Sequence, residues 1–204
     1  MSILVLGANG GTGVHVVEQA VAAGDRVVAL VRGTNVNVGL TRDGVDVIHG
    51  NATNAADLAK AMASADVVIS TLGGRGSSTM SDAVRAIIDG AHQAGMRRVV
   101  VMSSFAVERD RLGPMTKLMS NLTMSKAIAD KIASERLLRS SDLEWTIVYA
   151  TVLTNKPASG TSRIVPDHEK LSLTHKVSRA DVASWLLKAA KNPSFVRQEV
   201  TISG

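Results

Sequence analysis

The fold is decided by Ile3-Leu4-Val5-Leu6 followed at once by Gly7-Ala8-Asn9-Gly10-Gly11-Thr12-Gly13. The apolar run is too short for a helix and is closed by glycine, so it predicts a buried strand. Behind the glycines, Val14, Val16, Val17, Ala20 and Val21 recur at helical spacing and stop at Gly24. A strand, a glycine turn and a helix N-terminus in succession form a cradle for phosphate. The free amides and the helix dipole point to one place, and glycine lets an anion approach the backbone closely. No Lys-Ser or Lys-Thr pair follows the glycines, which excludes a Walker loop.

Working outward, Arg26–Val31 predicts a second strand, closed by Arg32-Gly33, and Gly44–His49 a third, followed by Gly50-Asn51-Ala52-Thr53. Asn54 is an expected N-cap for a helix whose inner face carries Leu58, Ala59, Met62 and Ala63. Asp66–Thr71 predicts the fourth strand, leading into Leu72-Gly73-Gly74-Arg75-Gly76. A helix over about 80–94, a fifth strand over 98–102 ending at Ser103-Ser104, and a long helix over about 116–140 come next. A sixth strand ends at Tyr149, and a last helix and strand close the chain. Strand and helix alternate throughout, which predicts an α/β fold, Rossmann-like and doubly wound. The expected sheet has six or seven mainly parallel strands with helices on both faces.

Composition narrows the function. Hydrophobic residues make up 45% of the 204 and charged residues 20%, ordinary for a folded protein. There is no cysteine, hence no disulfide, thiolate nucleophile or Cys-based zinc site. His15, His49, His92, His168 and His175 fall into no metal-binding spacing, so no metal is expected. The net charge of +5 favours anionic ligands, but Lys and Arg are dispersed and the five aromatic residues are scattered, against a nucleic-acid partner. No apolar run is long enough for a membrane span and no leader pattern opens the chain, so a cytoplasmic location is expected.

Three motifs carry a family resemblance. They are the turn Gly7-x-x-Gly10-x-x-Gly13, the block from Lys131-x-x-x-Glu135-x-x-Leu138-x-x-Ser141 through Leu143-Glu144-Trp145-Thr146-Ile147-Val148, and Ser178-Arg179-x-Asp181-Val182-Ala183. Together they resemble the atypical branch of the short-chain dehydrogenase/reductase superfamily, which includes flavin reductase/biliverdin reductase B and the NmrA-like proteins. The resemblance implies one NAD(P)-binding Rossmann domain over residues 1–204, with a small substrate-side loop region at about 150–175. Gly7, Asn9, Gly10, Gly11, Thr12, Gly13, Asn51, Ala52, Leu72, Gly73, Gly74 and Ser103 would border the cofactor. Arg75 could reach a phosphate or an acidic substrate. Arg32 stands where NAD-preferring sites keep an acid for the ribose 2′-hydroxyl, so NADP(H) is the preferred cofactor and NAD(H) a possible one. Lys131 matches the lysine that holds the nicotinamide ribose, and Ser104 the serine that polarises a substrate carbonyl.

One departure matters. The tyrosine expected one helical turn before that lysine is replaced by Ala127, and the chain's single tyrosine, Tyr149, ends the sixth strand. Tyr149 would line the substrate mouth or sit at the edge of the core. Met102, Met115, Met119 and Met124 suit a plastic apolar lip, although helix-spaced methionine is more commonly core. The expected activity is hydride transfer from NADPH to a flavin, quinone-like or other conjugated small molecule. The alternative is a non-catalytic NADP(H) sensor acting through a protein partner. A monomer or homodimer is expected, and the 178–183 motif is expected to be structural.

Overall fold

The computed structural model describes residues 1–73 and 79–204, side chains at 120, 121, 123 and 124 aside. The sequence expectations at Gly74, Arg75 and Gly76, and for the Met124 side chain, fall outside that description.

The first half of the sheet is built from β1 (Ser2–Leu6), β2 (Arg26–Val31), β3 (Val45–His49) and β4 (Val67–Ser70), interleaved with helices α1 (Gly11–Ala22) and α2 (Ala55–Met62). Then come α3 (Thr79–Ala94), β5 (Arg98–Ser104), α4 (Pro114–Ser140) and β6 (Glu144–Ala150). The remainder holds short strands β7 (Val152–Thr154), β8 (Arg163–Ile164) and β9 (Lys176–Ser178), helix α5 (Arg179–Lys191) and strand β10 (Gln198–Ser203). The strands of the main sheet lie in the order β3-β2-β1-β4-β5-β6-β10-β8. Seven run parallel, the upper value expected, and only the two-residue β8 runs antiparallel, against β10. The chain order reverses between β1 and β4, and in such sheets a crevice opens there, beyond the strand C-termini.

Both faces of the strands are covered, which is why they read as continuous apolar runs rather than alternating ones. Ile3 and Val5 of β1 join Val16, Val148 and Leu186 in a core beneath α1 and α5. Leu4 and Leu6 join Leu58, Ile87, Leu138 and Ile147 in a second core beneath α2, α3 and α4. Local signals set the helix ends. The Asn54 side chain accepts from the N–H groups of Ala56 and Asp57, at 2.9 and 3.2 Å, and Ser178 accepts from Asp181 N–H at 3.0 Å.

The segment at about 150–175, read as loop, carries two pieces of strand, β7 and β8, and β9 follows it directly. β7 pairs in parallel with β9 as a separate two-stranded sheet, and β8 caps the main sheet. Runs of two or three residues are too short to show periodicity. No helix among the described residues is long and apolar enough to cross a membrane.

Candidate functional site

The glycine turn forms where β1 leaves the sheet. Gly7 has φ +80°, and a Cβ there would meet Thr71 Oγ1 at 2.9 Å. That hydroxyl lies 3.0 and 3.2 Å from the carbonyl oxygens of Leu6 and Gly7, pinning the turn to the end of β4. Gly13 tolerates no side chain, because its Cβ would come within 2.1 Å of the Gly7 carbonyl oxygen. The helix that follows starts at Gly10 with no side-chain cap and no acidic residue in its first turn. Its first amides therefore keep their positive end for a ligand.

Beside the turn lies a cavity of about 340 Å³, and it gathers much of what the sequence nominates. Gly7 and Asn9 border it from the turn, Arg32 from the end of β2, Asn51 and Ala52 from the end of β3, and Leu72 and Gly73 from the end of β4. Thr79, Met80 and Ala83 of α3 close the far side. Arg32 is exposed and forms no ion pair among the described residues. Asn9 spends its side chain on the loop after β2, donating to Asn35 O at 2.7 Å and accepting from Asn37 N–H at 2.9 Å. The Asn51 carbonyl accepts from Thr53 N–H at 3.1 Å, which leaves its two amide hydrogens to give. Gly10, Gly11, Thr12 and Gly13 belong to the helix start rather than the cavity wall.

The second group of nominated residues divides. In β5, alternation puts Ser103 and Ser104 on opposite faces. Ser104 is half-buried, and its Oγ accepts only from Ala106 N–H at 3.3 Å, so the hydroxyl proton has no described acceptor. Ser103, expected to border the cofactor, instead turns its buried hydroxyl toward α4 and donates to Glu135 at 2.6 Å. Of the two readings of Tyr149, the structure favours the core one. Tyr149 is paired in register with Ser103, faces the same helix and is 3% exposed, and it does not line the crevice cavity. Its hydroxyl sits 2.8 Å from Glu135, 2.9 Å from Glu199 and 2.8 Å from the Arg139 guanidinium. Burial, then the charges of Glu135 and Glu199, hold the phenol far above its ordinary pKa, so its proton stays in the network.

Lys131 lies one turn before Glu135 on α4, half-buried, and its ammonium forms no hydrogen bond or ion pair among the described residues. Desolvation lowers its pKa, against the opposing charges of Glu135 and Asp130. Next to it, Asp130 caps α3 from a distance in sequence. Its carboxylate accepts from Met80 N–H at 2.8 Å, Ser81 N–H at 3.1 Å and Ser81 Oγ at 2.6 Å. Burial alone would raise the Asp130 pKa, but these bonds together outweigh it and leave it lowered. Met115 and Met119 are 69% and 45% exposed, with Leu118 and Leu122 beside them, so this stripe of α4 is surface rather than core.

A second depression of about 430 Å³ lies beside the Glu135–Tyr149–Arg139–Glu199 network. It is the larger, yet Glu108 and Arg111, and Glu135, Arg139 and Glu199, are already paired with one another, and it shares no lining residue with the crevice cavity. Sequence reasoning missed Asp130 and Glu135. Glu135 stood inside a motif quoted above, and a carboxylate on a buried helix face was the signal to ask what it bonds. Among the described residues no group of His, Cys, Asp or Glu is placed to hold a metal.

A glycine turn at the switch point of a Rossmann sheet, opening on a cavity bordered by Arg32, defines a nucleotide-binding protein. Residues 7–193 match the profile described as NAD(P)H-binding, and the chain belongs to that family. It is an NAD(P)-binding Rossmann protein of the atypical short-chain dehydrogenase/reductase, NmrA-like superfamily. The anaerobillin reductase ChuY from Escherichia coli O157:H7 superposes with a TM-score of 0.85 at 28% identity, over 100% of this chain and 97% of that one. Isoflavone reductase homolog P3 from Arabidopsis thaliana is 28% identical over 94% of this chain, which spans 65% of that protein's length. A short-chain dehydrogenase/reductase from Veillonella parvula DSM 2008, solved in complex with NADP, shares the fold at 22% identity, with a TM-score of 0.84 over 100% of this chain and 94% of that one.

Proposed function

We propose that this protein is an NADPH-dependent oxidoreductase that passes hydride to a flavin, quinone-like or other conjugated small molecule. One observation carries the reading. Among the described residues the lining of the crevice cavity holds one arginine and no carboxylate, and that arginine has no protein counter-ion among them. Such a site favours a ribose carrying a 2′-phosphate over one with a free 2′-hydroxyl. The glycine turn fits a diphosphate on the same grounds, since its backbone is open and the first amides of α1 lack an internal acceptor.

In this reading Gly7, Gly10, Gly11, Thr12 and Gly13 hold the diphosphate, Arg32 the 2′-phosphate, and Asn51 and Ala52 the adenine edge. Leu72 and Gly73 border the cofactor, and Lys131 holds the nicotinamide ribose. When bound, the cofactor supplies the hydride. Ser104 donates its free hydroxyl proton as a hydrogen bond to the acceptor oxygen or nitrogen as charge builds there. With Ala127 one turn before Lys131, and the Tyr149 proton held between two carboxylates, no phenol protonates the product. That proton comes from water, so the acceptor is one whose conjugation spreads the incoming charge. The segment at 151–175 would form the acceptor side. Likeness to a protein described as an anaerobillin reductase supports a conjugated acceptor.

The same absent proton donor favours a second reading, a non-catalytic NADP(H) sensor working through a protein partner. NADPH oxidation by purified protein against a panel of flavins, quinones, linear tetrapyrroles and simple carbonyls separates the two. Turnover of a conjugated acceptor that collapses in Ser104→Ala, with NADPH binding intact, supports the reductase. Tight NADPH binding with no turnover of any panel member sinks it in favour of the sensor.

A further inference from the structure

We infer that Arg179, supplied by the C-terminal helix, is a diphosphate-binding residue of the cofactor site and links that site to the segment after β7. This rests on the cofactor reading above and extends it to a residue outside the nucleotide-binding motif. Arg179 opens α5, and its side chain lies across the first turn of α1. A Cβ built on Gly11 would meet Arg179 Cδ at 3.1 Å, Nε at 3.2 Å and Cζ at 3.5 Å. Gly11 is not one of the three spaced glycines of the turn and has no positive φ, so what a side chain there would crowd is the overlying arginine.

Two of the five guanidinium N–H donors have partners. Nε donates to Asn155 Oδ1 at 2.9 Å, and Nη1 donates to Thr12 Oγ1 at 3.3 Å. The other donors have none among the described residues, and Arg179 forms no ion pair there. The one acidic residue in the first turn of α5, Asp181, is committed elsewhere, accepting from Ser178 Oγ at 2.7 Å, from Ser159 N–H and Oγ at 3.0 Å each, and from Gly160 N–H at 3.2 Å.

The electrostatics are therefore unbalanced. A cation is packed onto the positive end of α1, which has no acidic residue in its first turn, while standing at the positive end of its own helix. Cations are disfavoured at helix N-termini, and anions favoured. A diphosphate over the glycine turn supplies the missing counter-charge to the helix end and to Arg179 together, with acceptors for the unused donors. Because Nε is already held by Asn155, the same side chain ties the diphosphate to the segment between β7 and β8, on the proposed acceptor side.

The test is calorimetric titration of the full chain with NADPH, NADH and adenosine 2′-monophosphate, the last carrying the 2′-phosphate but no diphosphate. Wild type, Arg179→Gln, Arg179→Lys and Arg32→Ala are compared, with thermal melts of each. Arg179→Gln is expected to weaken NADPH and NADH alike by about tenfold or more, the loss of a charge-assisted contact common to both. Adenosine 2′-monophosphate should bind it as it binds wild type, and Arg179→Lys should recover part of the loss. Arg32→Ala should show the converse pattern. Unchanged dinucleotide affinity in Arg179→Gln overturns the inference, as does an equal loss of the monophosphate, which marks a merely structural role. Wild-type protein that binds neither dinucleotide overturns the cofactor reading itself, and this inference with it.

Discussion

Replacing Arg32 by alanine should abolish cofactor preference while leaving the fold intact. The side chain is exposed, lines the crevice cavity and has no ion pair among the described residues, so its removal strands no buried partner. Two unit charges 4 Å apart in water attract by about 1 kcal/mol, and a ribose phosphate carries about −1.5 to −2 charges near neutral pH. The Coulomb contribution is then about 1.5–2 kcal/mol, and a hydrogen bond to a charged group lies in the same range. Taking about 2 kcal/mol for the combined contact, NADPH affinity should fall about 30-fold and NADH affinity by less than about twofold. Because the pair is solvent-exposed, raising salt from 0.05 to about 0.5 M should erode the wild-type preference and leave the variant unaffected. Calorimetry with both nucleotides at two salt concentrations measures this. A wild type that binds NADH as tightly as NADPH, or an Arg32→Ala variant with an unchanged ratio, refutes the reasoning.

Gly13→Ala should be severe. Its Cβ would meet backbone atoms, Gly7 O at 2.1 Å and Ala8 Cα at 2.8 Å, that cannot yield as a side chain could. A loss of about 3 kcal/mol or more is expected, seen as a lower melting temperature and no nucleotide binding. Lys131→Met should act oppositely on the two properties, because it removes a desolvated ammonium that has no described hydrogen-bond partner. The nucleotide-free protein should melt about 2–4 °C higher, while affinity for both dinucleotides falls; a variant that melts lower and binds normally would contradict the assignment. Tyr149→Phe should cost about 1–3 kcal/mol, since it withdraws a hydroxyl from two carboxylates in one network. Its pH dependence has a definite sign. Burial pushes the Glu199 pKa up, but bonds from Arg139 and Tyr149 outweigh burial and hold it below its ordinary value. The stability this gives is present above the ordinary glutamate pKa of about 4.3 and is lost as pH falls through the depressed folded value. Urea melts should show the gap between wild type and Tyr149→Phe narrowing toward pH 3, and a gap that widens there would rule the network account out.

Most of the fold was legible because its signals are local. Apolar runs closed by glycine become strands buried on both faces, and Asn54 and Ser178 declare helix starts by side chains that bond their own next turn. That Gly7, Arg32, Asn51 and Gly73 line one crevice was legible for the same reason, since each stands at the end of a strand, and strand ends converge. What escaped depends on parity and on distant partners. Ser103 and Ser104 are equivalent in sequence, and only the register of β5 against β6 shows that Ser103 shares a face with Tyr149. Asp130 caps a helix about fifty positions earlier, and Arg179 covers a glycine from the opposite end of the chain. No window of the sequence contains both members of either pair.

The Ala127, Lys131 and Glu135 series shows how the chemistry has been redistributed. Residues four apart on an α-helix lie one above the other on the same face, so the three form a single column along α4. Typical dehydrogenases of the superfamily place a phenol one helical turn before the lysine. Here that position is a methyl group, and the ionisable partner lies one turn after the lysine instead. That partner, Glu135, is buried and bonded to Ser103, Tyr149 and Arg139, so it is tied to the sheet rather than open to the crevice. If Lys131 holds the ribose as proposed, the column keeps a cation there and withholds a side-chain acid from the acceptor. Under the proposed function the rate then depends on how well the acceptor stabilises its own negative charge. Across a series of quinones or flavins, turnover should rise with reduction potential and change little between pH 6 and 8, whereas a buried acid in the reaction path would impose its own titration on the rate.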